Sequence, residues 1–228
     1  MSKRLGLGIA SGMIPIDREV HTDPAQMTRA ELDELVRRDG VAVVADGVRS
    51  AMRNRLEVPA FPWPETLRQE DAVSCQTVGL INGIRVSQAA FTSSSQVWEP
   101  RAADIALIRE RAAADTEQRG EAQTAYAVAQ LLHTGRVLSR YVQISNPIHA
   151  AAEIAEGGFA LVTSAEQWHA YTIVPNFPQR PGSDGEPADF LRLDSLDGSE
   201  QPMDATAFAE LILGQDPTRG DETLVCRL

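Results

Sequence analysis

Cysteine is nearly missing from this chain. There are two among 228 residues, Cys75 and Cys226, separated by most of the sequence. A disulfide framework needs more, so reduced, cytosolic conditions are the simpler expectation. Histidine is scarce too, with four residues, and aromatics make up 5%. No spacing of Cys and His fits a zinc site, and no metal or other cofactor is implied. Positive charge is also short. The 21 Lys and Arg stand against 32 Asp and Glu, giving a net charge of −11 and a pI near 4.8. Such a chain is repelled by nucleic-acid phosphates and by anionic lipid surfaces. The basic residues, mostly Arg, are scattered, so no local tract reverses that expectation. No apolar run is long enough to span a bilayer. These absences point away from nucleic-acid and membrane partners and leave the oligomeric state open.

What is present is an ordinary globular composition, 43% hydrophobic and 23% charged. The length suits one sizeable domain able to bury its own core. Residues 1–60 read as an N-terminal extension, an arm followed by short helices, and residues 61–228 as the main domain. The opening stretch through Ile9 is brief, Gly-rich and soon interrupted by Pro15, which argues against a signal peptide. Thr28 followed by Glu31 is a capping box that starts a helix running to about Arg38, ended by Gly40. Val41–Val44 reads as a short strand and 46–54 as a helix. Pro59, Pro62 and Pro64 break the chain.

A helix is expected from Ser74 to about Ala90. Gly79 and Gly83 weaken it by roughly 1 kcal/mol each or mark close backbone packing. Further helices are expected at 99–114, 121–133 and 147–156, the last beginning at Asn146-Pro147 and capped by Gly157-Gly158. The period then changes. Strands are expected at 159–163, 170–174 and 190–193. A Pro/Gly/Asp-rich loop covers 175–189, and 194–203 turns. A last helix spans 205–213, and 224–226 reads as an edge strand. Helices first and strands later describe an α+β protein rather than alternating βαβ units.

Cys75 opens the apolar helical segment, and Gln69 lies six positions before it. His169 begins one of the late strands, and Asp194 ends the next. In that order the four residues supply an oxyanion donor, a nucleophile, a base and an orienter. A helix N-terminus stabilises a thiolate, and a neighbouring imidazolium lowers the thiol pKa further. The thiolate attacks a carbonyl, and the histidine returns the proton to the leaving amine. A third residue fixes the imidazole tautomer. A side-chain amide together with the Cys75 N–H can hold the oxyanion. Asn176, just after the histidine strand, is the rival orienter. Cys226 reads as a half-buried strand residue. His21, His133 and His149 have no partner pattern and read as structural or surface residues. Trp168 fits either plain packing or a subsite. The segment 182–186 reads as a solvated loop or a lid on the substrate side.

The interval Gln69 to Cys75 resembles the start of the catalytic domain in papain-like (clan CA) cysteine peptidases. His169-Ala170 with apolar residues after it resembles that clan's histidine strand. Phe190-Leu191-Arg192-Leu193-Asp194-Ser195 is similar to the strand carrying the orienter, with Asp194 where papain has Asn. The block from His169 to Leu196 also resembles Josephin-type deubiquitinases. The resemblance covers about residues 65–200 and departs at Gln76, where papain has Trp. It implies a papain-like fold, with a helical half bearing Cys75 and an antiparallel sheet bearing His169 and Asp194. It further implies a Cys75-His169-Asp194 triad with Gln69 at the oxyanion. The implied activity is hydrolysis of a peptide or isopeptide bond through a thioester, on a peptide or protein substrate. Low aromatic content and many alanines fit a bacterial protein, expected to be cytoplasmic or secreted by a non-classical route. Two other readings use the same residues: an acyltransferase or deamidase effector, and an inactive papain-like binding module.

Overall fold

The computed structural model describes residues 23–70, 74–91, 97–114, 140–164, 166–182 and 188–227. Within them lie six α-helices and a six-stranded antiparallel sheet, an α+β arrangement. The elements are α1 (Arg29–Asp39), α2 (Ala42–Arg53), α3 (Cys75–Phe91), α4 (Ala102–Ala114), β1 (Arg140–Gln143) and α5 (Pro147–Ala155). They continue with β2 (Gly158–Ser164), β3 (His169–Pro175), β4 (Phe190–Asp194), β5 (Glu200–Met203), α6 (Ala205–Leu213) and β6 (Glu222–Arg227). The strand order is β1-β6-β2-β3-β4-β5.

Two apolar layers cover the two faces of this sheet. Alternation along the strands decides which residue joins which layer. On β3, Ala170 and Val174 join the layer built on α3, while Ile173 joins the layer of α2, α5 and α6. On β4, Leu191 and Leu193 face α3 and Phe190 faces the other way, stacking on Phe208 of α6 at 4.1 Å. Residues 29–53, read from sequence as part of an extension, contribute Leu32, Val44, Val48 and Met52 to this second layer, each all but fully buried.

α3 is the central helix, with 15 of its 17 residues buried. A helix enclosed on all sides has no single apolar stripe, and its few polar residues need partners. Asn82 accepts from the Leu67 N–H and donates to the Leu67 carbonyl, at 2.9 and 3.0 Å. The Arg85 guanidinium, 3% exposed, donates to the Trp98 and Glu65 carbonyls and pairs with Glu99 at 2.6 Å. The two glycines serve close packing. A Cβ on Gly83 would sit 2.3 Å from the Phe159 ring, and one on Gly79 would meet Leu161 and Thr172 at about 3 Å.

Several sequence expectations are corrected. Val41–Val44 is not a strand, because it runs into α2, whose buried face takes Val44, Ala45, Val48 and Met52. The 194–203 stretch contains β5, paired with β4. The C-terminal strand is not an edge. β6 lies between β1 and β2, which is why Leu224, Val225 and Cys226 are all buried. Cys226 is accordingly fully rather than half buried. The capping box at Thr28 and the Asn146 N-cap of α5 form as expected. The helix expected at 121–133 and most of the 182–186 loop lie outside the described residues, as do His21 and His133. His149 is a surface residue beside Glu153. No helix among the described residues is long and apolar enough to cross a membrane.

Candidate active site

The site is built at one end of the sheet, where α3 begins and β3 begins. The register follows from the glycine contacts. Gly83 packs on Phe159, and Gly79 on Leu161 and Thr172. α3 therefore runs against β2 and along β3. The Thr172 hydroxyl donates to the Gly79 carbonyl at 2.6 Å and pins this register. Cys75 lies four residues before Gly79, about 6 Å along the helix. That is the length of about two strand residues, which brings Cys75 level with Ala170. Ala170 and Cys75 share one apolar cluster, and Cys75 is 8% exposed.

His169 and Asp194 meet directly. Nε2 of the imidazole lies 2.7 Å from Asp194 Oδ1, with the two side chains only 10% and 14% exposed. The Asp194 carboxylate is itself held, since Oδ1 also accepts from the Leu196 N–H at 2.8 Å. Its backbone closes the β4–β5 turn. The Asp194 N–H donates to the Ser199 carbonyl, and the Gly198 N–H to the Asp194 carbonyl, both at 2.9 Å. Gly198 has φ +76, and a Cβ there would strike Arg68 at 2.9 Å, so the turn needs glycine on two counts. The Tyr171 ring stands edge-on to His169 at 4.7 Å. The Tyr171 hydroxyl donates to Gln167 at 2.5 Å, and Arg192 lies over the ring at 4.6 Å. Burial raises the Tyr171 hydroxyl pKa against the opposing pull of Arg192, and the Asp194 charge adds to the rise. The phenol therefore stays neutral and acts as a wall.

The pleat has a consequence here. Tyr171 is opposite Asp194 in the ladder. His169, Tyr171, Arg192 and Asp194 project from the sheet face opposite α3, whereas Ala170 and Thr172 project toward it. The dyad thus lies on one side of the β3 backbone and Cys75 on the other, at the same end. Among the described residues, the bond to Asp194 is the imidazole's only hydrogen bond, so Nδ1 is open.

Gln69 reaches the same end from a third direction. Asn82 fixes Leu67, and Trp63 and Thr66 both donate to Glu200 of β5, at 3.0 and 2.7 Å. This strap delivers Gln69 to the residue after Asp194. The Gln69 N–H donates to the Ser195 carbonyl at 2.7 Å, and the Ser195 hydroxyl donates to Gln69 Oε1 at 2.9 Å. Holding the amide oxygen there turns the amide nitrogen, the donor an oxyanion needs, away from Ser195. A cavity of about 290 Å³ lies beside the helix start, lined by Leu67, Ser74, Val78, Ile105 and the charged Arg68 and Arg109 among others.

Asn176 is elsewhere. It follows the far end of β3 and is engaged with the 177–189 connection, donating to the Ala188 carbonyl at 3.1 Å and accepting from Arg180. Sequence reading missed the residues that position the strap, Asn82, Arg85 and Glu200. Polar side chains inside an otherwise apolar helix were the available signal for the first two. Nothing local marked Glu200. Comparison with family models, curated proteins and solved structures found no match for this chain.

Proposed function

We propose that the chain is a papain-like cysteine hydrolase that cleaves a peptide or isopeptide bond. The observation that carries this reading is the His169–Asp194 bond through Nε2, which leaves Nδ1 open at the sheet end where α3 begins with Cys75. A carboxylate on Nε2 fixes the tautomer that exposes a basic Nδ1 and stabilises the imidazolium once it forms. In this mechanism Nδ1 takes the Cys75 proton as substrate closes the rim of β3. Catalytic hydrogen bonds commonly tighten only in the substrate complex. The thiolate adds to the carbonyl carbon, and the oxyanion takes hydrogen bonds from the Gln69 amide and the Cys75 N–H. The C–N bond then breaks, and the amine leaves with the proton from His169. Water, deprotonated by His169, adds to the thioester, and the acid product leaves as the thiol re-forms.

The test is mass analysis of a mixed peptide library after incubation with the full chain. Cleavage products with one water added are expected from the wild type and from Cys226→Ala. Cys75→Ala and His169→Ala should yield none above background. Equal cleavage by wild type and Cys75→Ala would overturn the reading.

A further inference from the structure

The mechanism above makes no use of the cavity beside the start of α3. Its walls come from the strap, the first turn of α3 and residues 100–109, and among the described residues none come from β3 or β4, which carry the dyad. Leu67, Val78 and Ile105 make part of the lining apolar. The charged residues in the lining are Arg68, Arg109 and Glu70. Two arginines against one glutamate leave one positive charge, in a chain whose net charge is −11. The positive end of α3 adds to it. The stem of Arg68 packs over Gly198 of the β4–β5 turn, which fixes one edge of the cavity. Ser74 is the member that the fold does not use. It is 3% exposed and lines the cavity, yet its hydroxyl makes no hydrogen bond among the described residues. A serine just before a helix ordinarily turns its oxygen back onto the N–H groups of the first turn. Ser74 precedes α3 and does not do so. A buried hydroxyl without a partner is rare in a folded protein, and this one stands where a ligand would meet it.

We propose that this cavity binds a short aliphatic monocarboxylic acid and that the bound acid slows reactions at Cys75. The Ser74 hydroxyl donates to the carboxylate, and Arg68 and Arg109 pair with it, since a planar guanidinium matches a carboxylate. The aliphatic body lies on Leu67, Val78 and Ile105. A volume of about 290 Å³ is at the small end for ligand pockets. It suits a branched acid of about five carbons better than a drug-sized or polymeric ligand. The single surplus positive charge favours a monoanion, because Glu70 repels a second negative charge. Inorganic phosphate has no apolar body to cover the aliphatic walls. Cys75 directly follows Ser74, so a bound carboxylate is a like charge beside any thiolate there and disfavours it. Binding at this cavity does not depend on the hydrolase reading above.

Equilibrium dialysis of the full chain against radiolabelled isovalerate is the test. One equivalent should bind, displaced by unlabelled isovalerate but neither by 3-methylbutanol, which lacks the charge, nor by inorganic phosphate, which lacks the apolar body. Ser74→Ala should weaken binding about tenfold, the scale of one hydrogen bond to a charged group. Arg68→Gln combined with Arg109→Gln should abolish it. No binding by the wild type, binding unchanged in Ser74→Ala, or displacement by phosphate as effective as by isovalerate would each overturn the site. Iodoacetamide labelling at pH 6 reads the effect on Cys75. Isovalerate, at a concentration that fills the wild type but not Ser74→Ala, should slow labelling of Cys75 about threefold in the wild type and leave it unchanged in the variant. Labelling equally fast with the acid bound would overturn the effect on Cys75. A Cys75 that does not label at pH 6 even without isovalerate counts against the hydrolase reading, while the dialysis still decides the site.

Discussion

The two cysteines share one apolar cluster yet occupy different chemical worlds. Cys226 is the next-to-last residue of β6, a strand held between two others and under α3, and it has no exposed surface. Burial pushes its thiol well above the ordinary range, so it stays a small neutral hydrophobe. Cys75 is nearly as buried, at 8%. It begins a helix, however, at the end of β3 where His169, on the other face of the sheet, has one ring nitrogen tied to a carboxylate. Depth in the layer barely differs. The element does: an inner strand of the sheet for one thiol, a helix N-terminus at the sheet rim for the other. The positive end of a helix and an open imidazole nitrogen are available only at the rim.

The largest effect that can break this contrast comes from exchanging the roles. Cys75→Ala should lower hydrolysis by 10³-fold or more, on the order seen when a catalytic nucleophile is lost, with little change in the unfolding midpoint. Cys226→Ser should do the reverse. Burying a hydroxyl mid-sheet costs about 1–3 kcal/mol, read as a lower urea midpoint, with turnover unchanged. Next comes the packing that sets the register of Cys75. Gly83→Ala drives a methyl into the Phe159 ring and should destabilise by about 1–3 kcal/mol, with urea unfolding as the readout.

A smaller effect sharpens the rim itself. Ser195→Ala removes the hydroxyl that orients the Gln69 amide oxygen and should lower kcat about fivefold, the equivalent of one hydrogen bond, with KM little changed. An unaltered kcat would mean that Gln69 holds no oxyanion. The smallest concerns Glu222, whose carboxyl burial alone raises above its usual value. A carboxyl whose folded pKa is raised favours the folded state while protonated. Its contribution is fully present below the unfolded value near 4.5 and is lost as pH rises through the raised one. Glu222→Gln should therefore flatten the fall in stability as pH rises above about 4.5, measured by thermal melts over a rising pH series.

Much of the fold was legible because local signals agreed with the tertiary outcome. The Thr28 capping box, the Asn146-Pro147 helix start and the alternating strands at β3 and β4 all form where their residue types direct them. Where the reading failed, tertiary context outweighed the local pattern. The run Val41–Val44 has β-branched residues suited to a strand, yet it opens α2, and of the four only Val44 is buried. β6 was taken for an edge because sequence order says nothing about insertion between β1 and β2. The four candidate site residues were visible as residue types. Two facts about them were not: that Asp194 binds Nε2, and that the pleat turns the dyad to the face opposite Cys75. Both depend on ladder register across β3 and β4, which one strand's sequence does not encode. Trp168 read equally as packing or as part of a subsite, and its left-handed backbone leaves no mark in a one-letter code.

The central claim is that His169 activates the Cys75 thiol across the rim of β3. Alkylation by iodoacetamide at pH 6, followed by peptide mapping, tests it most directly. The account predicts rapid labelling at Cys75 and none at Cys226 in the folded protein, with the Cys75 rate falling about a hundredfold in His169→Ala, the scale of a lost acid–base partner. Labelling of Cys75 that begins only near the free-thiol pKa of about 8.5, and at the same rate in His169→Ala, would contradict it.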